Sequence, residues 1–167
     1  MNLRTRSLLA VFAGALLVLA GCGRSEPPAA TTAASPEAPA DGKRVIVLTA
    51  DDTMKFNLAE IHAKPGEALR ITLKNTGRMP KQAMAHNWVL LQPMADSDFT
   101  AFAMAASGKA PDYLPADRAQ VLAATKLLGA GESDTIEITA PATPGEYPFL
   151  CTFPGHFALM KGKLIVN

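Results

Sequence analysis

Apolar and polar residues alternate in short runs along most of this chain, and one stretch breaks the rhythm. Val45-Ile46-Val47-Leu48-Thr49 is strand-like, and Lys55-Phe56-Asn57-Leu58 alternates polar with apolar. Leu69-Arg70-Ile71-Thr72-Leu73 alternates cleanly, as a half-buried antiparallel strand does. Ahead of it, Lys64-Pro65-Gly66-Glu67 predicts a type II turn, because Pro presets φ and the following Gly takes a positive φ. Asn75-Thr76-Gly77 closes that strand. His86 to Leu91 predicts the next, and Ser133 to Thr139 alternates again. Pro144-Gly145 turns the chain into a strand from Glu146 to Cys151, and Lys163 to Asn167 supplies a last short one.

The break in rhythm covers residues 96 to 107. Asp96 or Ser97 offers a helix start, Phe99, Phe102, Ala103 and Ala106 form an apolar face, and Gly108 stands where a C-cap glycine would. Asp112-Tyr113-Leu114-Pro115 leads a short polar connection. Val121 to Leu128 fits strand or helix, and the alternating run beyond Gly129-Ala130-Gly131 favours strand. Short strands, Gly/Pro turns and one helical insertion between central strands predict an all-β, Greek-key β-sandwich, with an eight-stranded barrel as the alternative. Pro148 is the awkward residue: it has no N–H for a ladder, so its strand should be an edge there or carry a bulge.

The N-terminal segment follows different rules. Arg4 and Arg6 precede an apolar run from Leu8 to Leu19, too short to span a bilayer comfortably and of the kind that directs export. It ends in Leu19-Ala20-Gly21-Cys22, which resembles the bacterial lipobox. Residues 1–21 are therefore expected to be a lipoprotein signal peptide, with Cys22 lipidated; ordinary cleavage near Ala20, leaving a free thiol, is the alternative. Acyl chains contribute about 0.8 kcal/mol of membrane affinity per buried CH₂, so two or three would anchor the protein stably. Gly23 in place of aspartate points to the outer membrane of a Gram-negative cell. Residues 22–42 carry almost no large apolar side chain and read as a disordered Pro/Ala-rich linker, roughly 25 Å end to end as a coil. Residues 43–167 form the expected globular domain.

Composition narrows the function. The net charge of +1 gives no basic excess of the kind nucleic-acid binding shows. There are two cysteines, and Cys22 belongs to the anchor, so Cys151 stands alone in the globular part with no internal disulfide framework. A lone thiol in an oxidising compartment is a liability unless it is buried or holds a metal.

Cys151-Thr152-Phe153-Pro154-Gly155-His156-Phe157-Ala158-Leu159-Met160 places a thiolate, an imidazole and a thioether close together. Phe153-Pro154-Gly155-His156 has tight-turn residues, which bring the Cys151 sulfur and a His156 ring nitrogen toward one point. Met160 lies far enough on to approach from another side. His86, from a separate strand, would fix a metal between two parts of the sandwich. Two His, one Cys and one weak axial Met suit a blue-copper electron-transfer site, since thiolate and thioether favour Cu(I) while imidazole binds both oxidation states. Zinc accepts Cys-His-His too but gains little from Met160.

The segments Met84-Ala85-His86-Asn87-Trp88-Val89 and Cys151 to Gly162 resemble the azurins of the cupredoxin family, with further likeness at Thr53 to Asn57, Asp112 to Leu114 and Thr125 to Gly129. The resemblance covers essentially residues 44–167. It implies a cupredoxin sandwich with a helical flap and one type 1 copper ion cycling between Cu(I) and Cu(II). His86, Cys151 and His156 would be equatorial ligands and Met160 the axial one. In azurins the residue before the first histidine is usually glycine, whose carbonyl lies near copper. Here it is Ala85, whose carbonyl would be the weak second axial group. The usual N-terminal disulfide, often worth about 2–4 kcal/mol, has no counterpart. The same likeness makes Asn87 a brace between the ligand loops, and lets the Asn87 and Phe153 N–H groups point at the Cys151 sulfur and tune its electronics. Met84, Phe153, Pro154 and Phe157 would ring an exposed edge of His156 as the electron port. The implied partners are periplasmic redox proteins such as c-type cytochromes or copper reductases. The chain is expected to act as a monomer held to the membrane by its lipid, with no nucleic-acid partner and no enzymatic activity.

Blander readings exist for each residue. Cys151 alone would be a core thiol, Met160 core filler and His86 a satisfied core histidine. His62 reads as a surface residue, Asp51-Asp52 as a solvated turn, Trp88 as core, and Lys161 and Lys163 as solvated charges. A copper buffer or delivery protein is the second functional reading, and a Cys151–His156 thiol hydrolase the third, the latter without any catalytic signature around the thiol.

Overall fold

The structure, a computed structural model, describes residues 42–167. The signal peptide, Cys22 and the linker up to residue 41 lie outside the described residues. Alternation builds the first sheet. In β1 (Arg44–Ala50), Ile46, Leu48 and Ala50 are buried, and in β3 (Ala68–Asn75) Leu69, Ile71 and Leu73 are. A side-chain period of two puts these residues on one face. With β6 (Ser133–Thr139) they form a three-stranded sheet in the order β1-β3-β6. β3 pairs antiparallel with β6 as its alternation predicts, but parallel with β1.

The second sheet has five strands. Its order is β2 (Glu60–Ala63), β8 (Lys161–Val166), β7 (Gly145–Leu150), β4 (Val89–Leu91) and β5 (Val121–Ala124). β2 runs parallel to β8, and the other neighbours are antiparallel. Two sheets face one another across a shared core of Leu48, Leu69, Ile71, Leu73, Trp88, Phe149 and Leu164, so the fold is the sandwich and not the closed barrel. Each fully buried Leu or Ile contributes about 1.5–3 kcal/mol.

Several boundaries differ from the sequence pattern. The run 55–58 is no strand: Phe56 makes one isolated bridge to Ala50, and the strand begins at Glu60. Burial explains the shift, because Ile61 and Ala63 enter the core whereas Leu58 is exposed. The strand expected over 86–91 shrinks to β4, with His86 in an isolated bridge to Leu128, and β5 stops at Ala124. The turn at Lys64–Glu67 forms as expected, with Gly66 at φ +73° and Glu67 N–H donating to the Lys64 carbonyl at 3.0 Å.

The helix α1 (Asp96–Ser107) lies between β4 and β5 and packs Phe102, Ala103 and Ala106 against Val89, Leu91 and Leu150. Its first flanking residue is Ala95, which makes no side-chain cap. Gly108 holds the expected C-cap position at φ −85°, outside the left-handed region. Asp96 and Asp98 in the first turn suit the positive end of the helix.

Pro148 is accommodated without a bulge. The β4–β7 ladder pairs only Leu150 and Phe149, so Pro148 has no ladder partner on that side. Its partner across the other ladder is Lys163, whose N–H donates to the Ala59 carbonyl at 2.9 Å and therefore points away from β7. The missing donor thus costs no ladder bond.

Candidate metal centre

β7 delivers Cys151 at the end of a central strand, where its N–H donates to the Met160 carbonyl at 3.0 Å. The chain then reverses. Gly155 takes φ +80° and the His156 N–H donates to the Phe153 carbonyl at 3.0 Å, the type II turn that Pro154-Gly155 predicts. A short 3₁₀ turn, His156–Ala158, follows, and the Met160 N–H donates to the His156 carbonyl at 2.8 Å. The Met160 backbone is thus bracketed by Cys151 and His156, and its side chain is fully buried.

His86 arrives just before β4, the neighbour of β7. The site therefore stands at the end of one sheet, between adjacent strands of the same layer, and not between the two layers. His86 and Leu128 exchange backbone hydrogen bonds at 3.0 and 2.8 Å.

Donor atoms of His86, Cys151 and His156 all lie within 4.8 Å of one another. His156 Nδ1 is 3.7 Å from the Cys151 sulfur, and the two imidazole centroids are 5.0 Å apart. The Ala85 carbonyl is 4.0 Å from the same sulfur. All three donor residues are buried. His86 decides the reading: both ring nitrogens are buried and neither makes a hydrogen bond of ordinary geometry. A structural core histidine finds partners for such atoms.

The electrostatics suit a soft cation. Burial pushes the Cys151 thiol up to about 11, opposed by the Asn87 and Phe153 N–H groups directed at the sulfur. Burial first, and the neighbouring His86 second, hold His156 at about 4. Burial also lowers His86, against the Asp51 carbonyl and the Asp51 and Asp52 carboxylates, which favour its charged form. Both imidazoles are neutral at pH 7 and free to donate lone pairs.

Asn87 spans the two ligand segments. Its Nδ2 donates to Thr152 Oγ1 at 2.8 Å, and its Oδ1 accepts from the Thr152 N–H at 2.9 Å. Of the expected port residues, Phe153 is buried with its ring centroid 4.7 Å from that of His156, Met84 and Phe157 are half-buried, and Pro154 is exposed. His62, Lys161 and Lys163 are exposed, and Trp88 is wholly buried. Asp51 is taken up by its own turn, accepting from Thr53, while Asp52 accepts from the Arg78 and Met79 N–H groups.

Two neighbours escaped the sequence reading. Tyr113, at φ +51°, packs edge-on against Phe153 with centroids 5.2 Å apart. Asn75 is buried beneath the loop that leads to His86. Asp112-Tyr113-Leu114 was visible only as a likeness without a role, and Asn75-Thr76-Gly77 only as a turn.

Comparison with known proteins agrees with this geometry. Residues 44–167 match the family of copper binding proteins described as plastocyanin/azurin. Azurin from Achromobacter denitrificans is 42% identical over 120 residues, covering 70% of this chain and 80% of that protein. Outer membrane protein H.8 from Neisseria meningitidis serogroup B is 36% identical, covering 95% and 97%. Among solved structures, auracyanin A from Chloroflexus aurantiacus, described as a "blue" copper protein, has a TM-score of 0.68 at 32% identity. It covers 75% of this chain and 100% of that one. The imidazole, imidazole and thiol donors, buried and within 4.8 Å of one another, fit a type 1 copper ion.

Proposed function

Because this chain belongs to the plastocyanin/azurin family of copper-binding cupredoxins, we propose that it is a membrane-tethered carrier of single electrons between periplasmic redox proteins. His86, Cys151 and His156 would hold one type 1 copper, with Met160 and the Ala85 carbonyl as further, weak ligands. The observation that carries this reading is the buried cluster of His86, Cys151 and His156, with donor atoms within 4.8 Å of one another and neither His86 ring nitrogen in a hydrogen bond of ordinary geometry.

Copper, when bound, supplies the Cu(II)/Cu(I) couple that accepts and releases the electron. The chain supplies a site that need not rearrange. Cys151 is fixed by its backbone bond to Met160, His156 by the turn at Gly155, and His86 by its paired bonds to Leu128. Cys151 gives up its proton on metal binding, and the Asn87 and Phe153 N–H groups stabilise the resulting thiolate. A thiol held at about 11 is a poor nucleophile at neutral pH, which argues against a hydrolase. Full burial of the donors argues against a labile buffer or delivery site.

Electrons enter and leave at the edge of His156, ringed by Met84, Phe153, Pro154 and Phe157. Small, transient contacts suit c-type cytochromes or copper reductases as partners. The tether rests on Cys22 after Leu19-Ala20-Gly21. Its support is the likeness to a relative named as an outer membrane protein, which takes in a larger share of this chain than residues 44–167 supply and so runs into the N-terminal segment.

Optical and spin-resonance spectra of the copper-loaded protein test the site. An intense blue thiolate-to-copper band is expected; a colourless product would refute the carrier. Labelling with radioactive palmitate tests the tether, and a Cys22→Ala chain that still takes up label would sink it.

A further inference from the structure

Asn75 ends β3 with 2% of its surface exposed. Its Nδ2 donates to the Leu128 carbonyl at 3.1 Å and to the Met84 carbonyl at 3.4 Å, and its Oδ1 accepts from the Gly77 N–H at 2.9 Å. Its backbone N–H donates to the Glu132 carbonyl at 3.0 Å, and its carbonyl accepts from the Gly131 N–H at 2.9 Å. One buried residue therefore joins the loop that precedes His86 to the loop that follows Leu128.

The bond partners matter more than their number. A peptide unit is planar, so the Met84 carbonyl shares a plane with the Ala85 N–H, and the Ala85 carbonyl shares one with the His86 N–H. Asn75 holds the first plane through the Met84 carbonyl. The second plane is held by the His86 N–H, which donates to the Leu128 carbonyl, and Asn75 grips that same carbonyl. With both flanking planes fixed, Ala85 has its φ and ψ set, and with them the direction of the carbonyl 4.0 Å from the Cys151 sulfur.

We propose that Asn75 is a positioning residue for the metal site: its carboxamide aims the Ala85 carbonyl and seats His86 before any metal binds. The proposal rests on the copper reading above. Ala85 makes the need specific, because a residue with a Cβ and a set backbone conformation cannot be re-aimed as freely as glycine. Apolar packing would not serve here, since the Met84 and Leu128 carbonyls would lose a buried donor.

The test compares the full chain with Asn75→Asp and Asn75→Ser. Asp keeps the shape and the contact to Gly77 but replaces the donating nitrogen with oxygen, and Ser is too short to bridge the loops. Three quantities are measured: copper affinity by competition with a chelator, the blue band with its spin-resonance spectrum, and amide exchange at His86 in the metal-free protein. Affinity should fall about 10–100-fold, the spectra should change, and His86 exchange should quicken. Variants with a lowered melting temperature but wild-type affinity, spectra and His86 exchange would reduce Asn75 to a packing residue and overturn the proposal. The wild type alone also decides: Asn75 side-chain amide protons that exchange as fast as those of an exposed asparagine would overturn it. A wild-type chain with no blue band refutes the copper reading itself, whereas a blue wild type with unaltered variants refutes only the role of Asn75.

Discussion

Asn87 and Thr152, 65 positions apart in sequence, grip each other through buried side-chain and backbone hydrogen bonds, and each follows directly on a donor residue of the site. Asn87→Leu would leave the Thr152 N–H and hydroxyl buried without an acceptor. Such a loss costs about 1–3 kcal/mol for each group. Urea unfolding of the metal-free variant should show a lower midpoint, and copper affinity should fall as the two donor segments loosen.

Cys151 and Met160 should respond differently to replacement. Cys151→Ser should abolish the blue colour, because a hydroxyl cannot replace the soft thiolate. Met160→Leu should keep copper bound while the reduction potential rises, since an apolar side chain in place of a donor atom withdraws electron density from the more highly charged Cu(II) more than from Cu(I). Voltammetry on both forms checks this, and an unchanged potential would remove Met160 from the ligand set.

The metal-free protein should be most stable between about pH 6.5 and 9. His156 falls from 6.5 to about 4 on folding, and His86 moves the same way. Between those values the unfolded chain binds more protons, so stability drops as pH falls below 6.5, by up to about 1.4 kcal/mol per pH unit for His156, with His86 acting in the same direction. Cys151 rises from 9.0 to about 11, so there the folded chain binds more protons and stability drops as pH rises through that window. Melting temperatures across pH should trace a plateau with both flanks; a flat profile would contradict the burial of these groups.

Trp88, the chain's one tryptophan, is wholly buried and its indole N–H has no partner. Its fluorescence should lie at short wavelength in the native protein and move to the red on unfolding. A native emission maximum equal to that of the unfolded chain would show water at the indole.

Gly162 in β8 faces Phe149 across the ladder, and a Cβ there would collide with the Phe149 ring and the Ala59 carbonyl. Gly162→Ala should therefore destabilise by about 1–3 kcal/mol or more, because neither a core ring nor a backbone carbonyl yields cheaply. Chemical denaturation measures the loss.

Much of this architecture is legible in the sequence, and the exceptions have physical reasons. Leu69 to Leu73 and Ser133 to Thr139 announce their strands by alternation: Leu69, Ile71 and Leu73 are buried, and Asp134, Ile136 and Ile138 are half-buried between exposed neighbours. His86 to Leu91 announces a strand but not its bounds, because Ala85 to Leu91 are buried without interruption and no alternation marks where β4 begins. Phe56 looks like a strand residue yet makes only a bridge, since what decides β2 is the core position of Ile61 and Ala63. At the site, Cys151, His156 and Met160 are close in sequence and advertise their chemistry. Asn75 and Tyr113 touch the site only through the fold, from segments whose local pattern says turn and connection.

The end of the ladder at Pro148 has a consequence for contact between molecules. A sheet margin with free donors invites a strand from another molecule to zip onto it. Here the β4–β7 ladder stops after Phe149, and the residue at which it stops is the one that cannot donate. The same imino acid that looked like a defect in the strand thus offers a foreign strand only a carbonyl and no N–H, so any pairing begun there is one bond short.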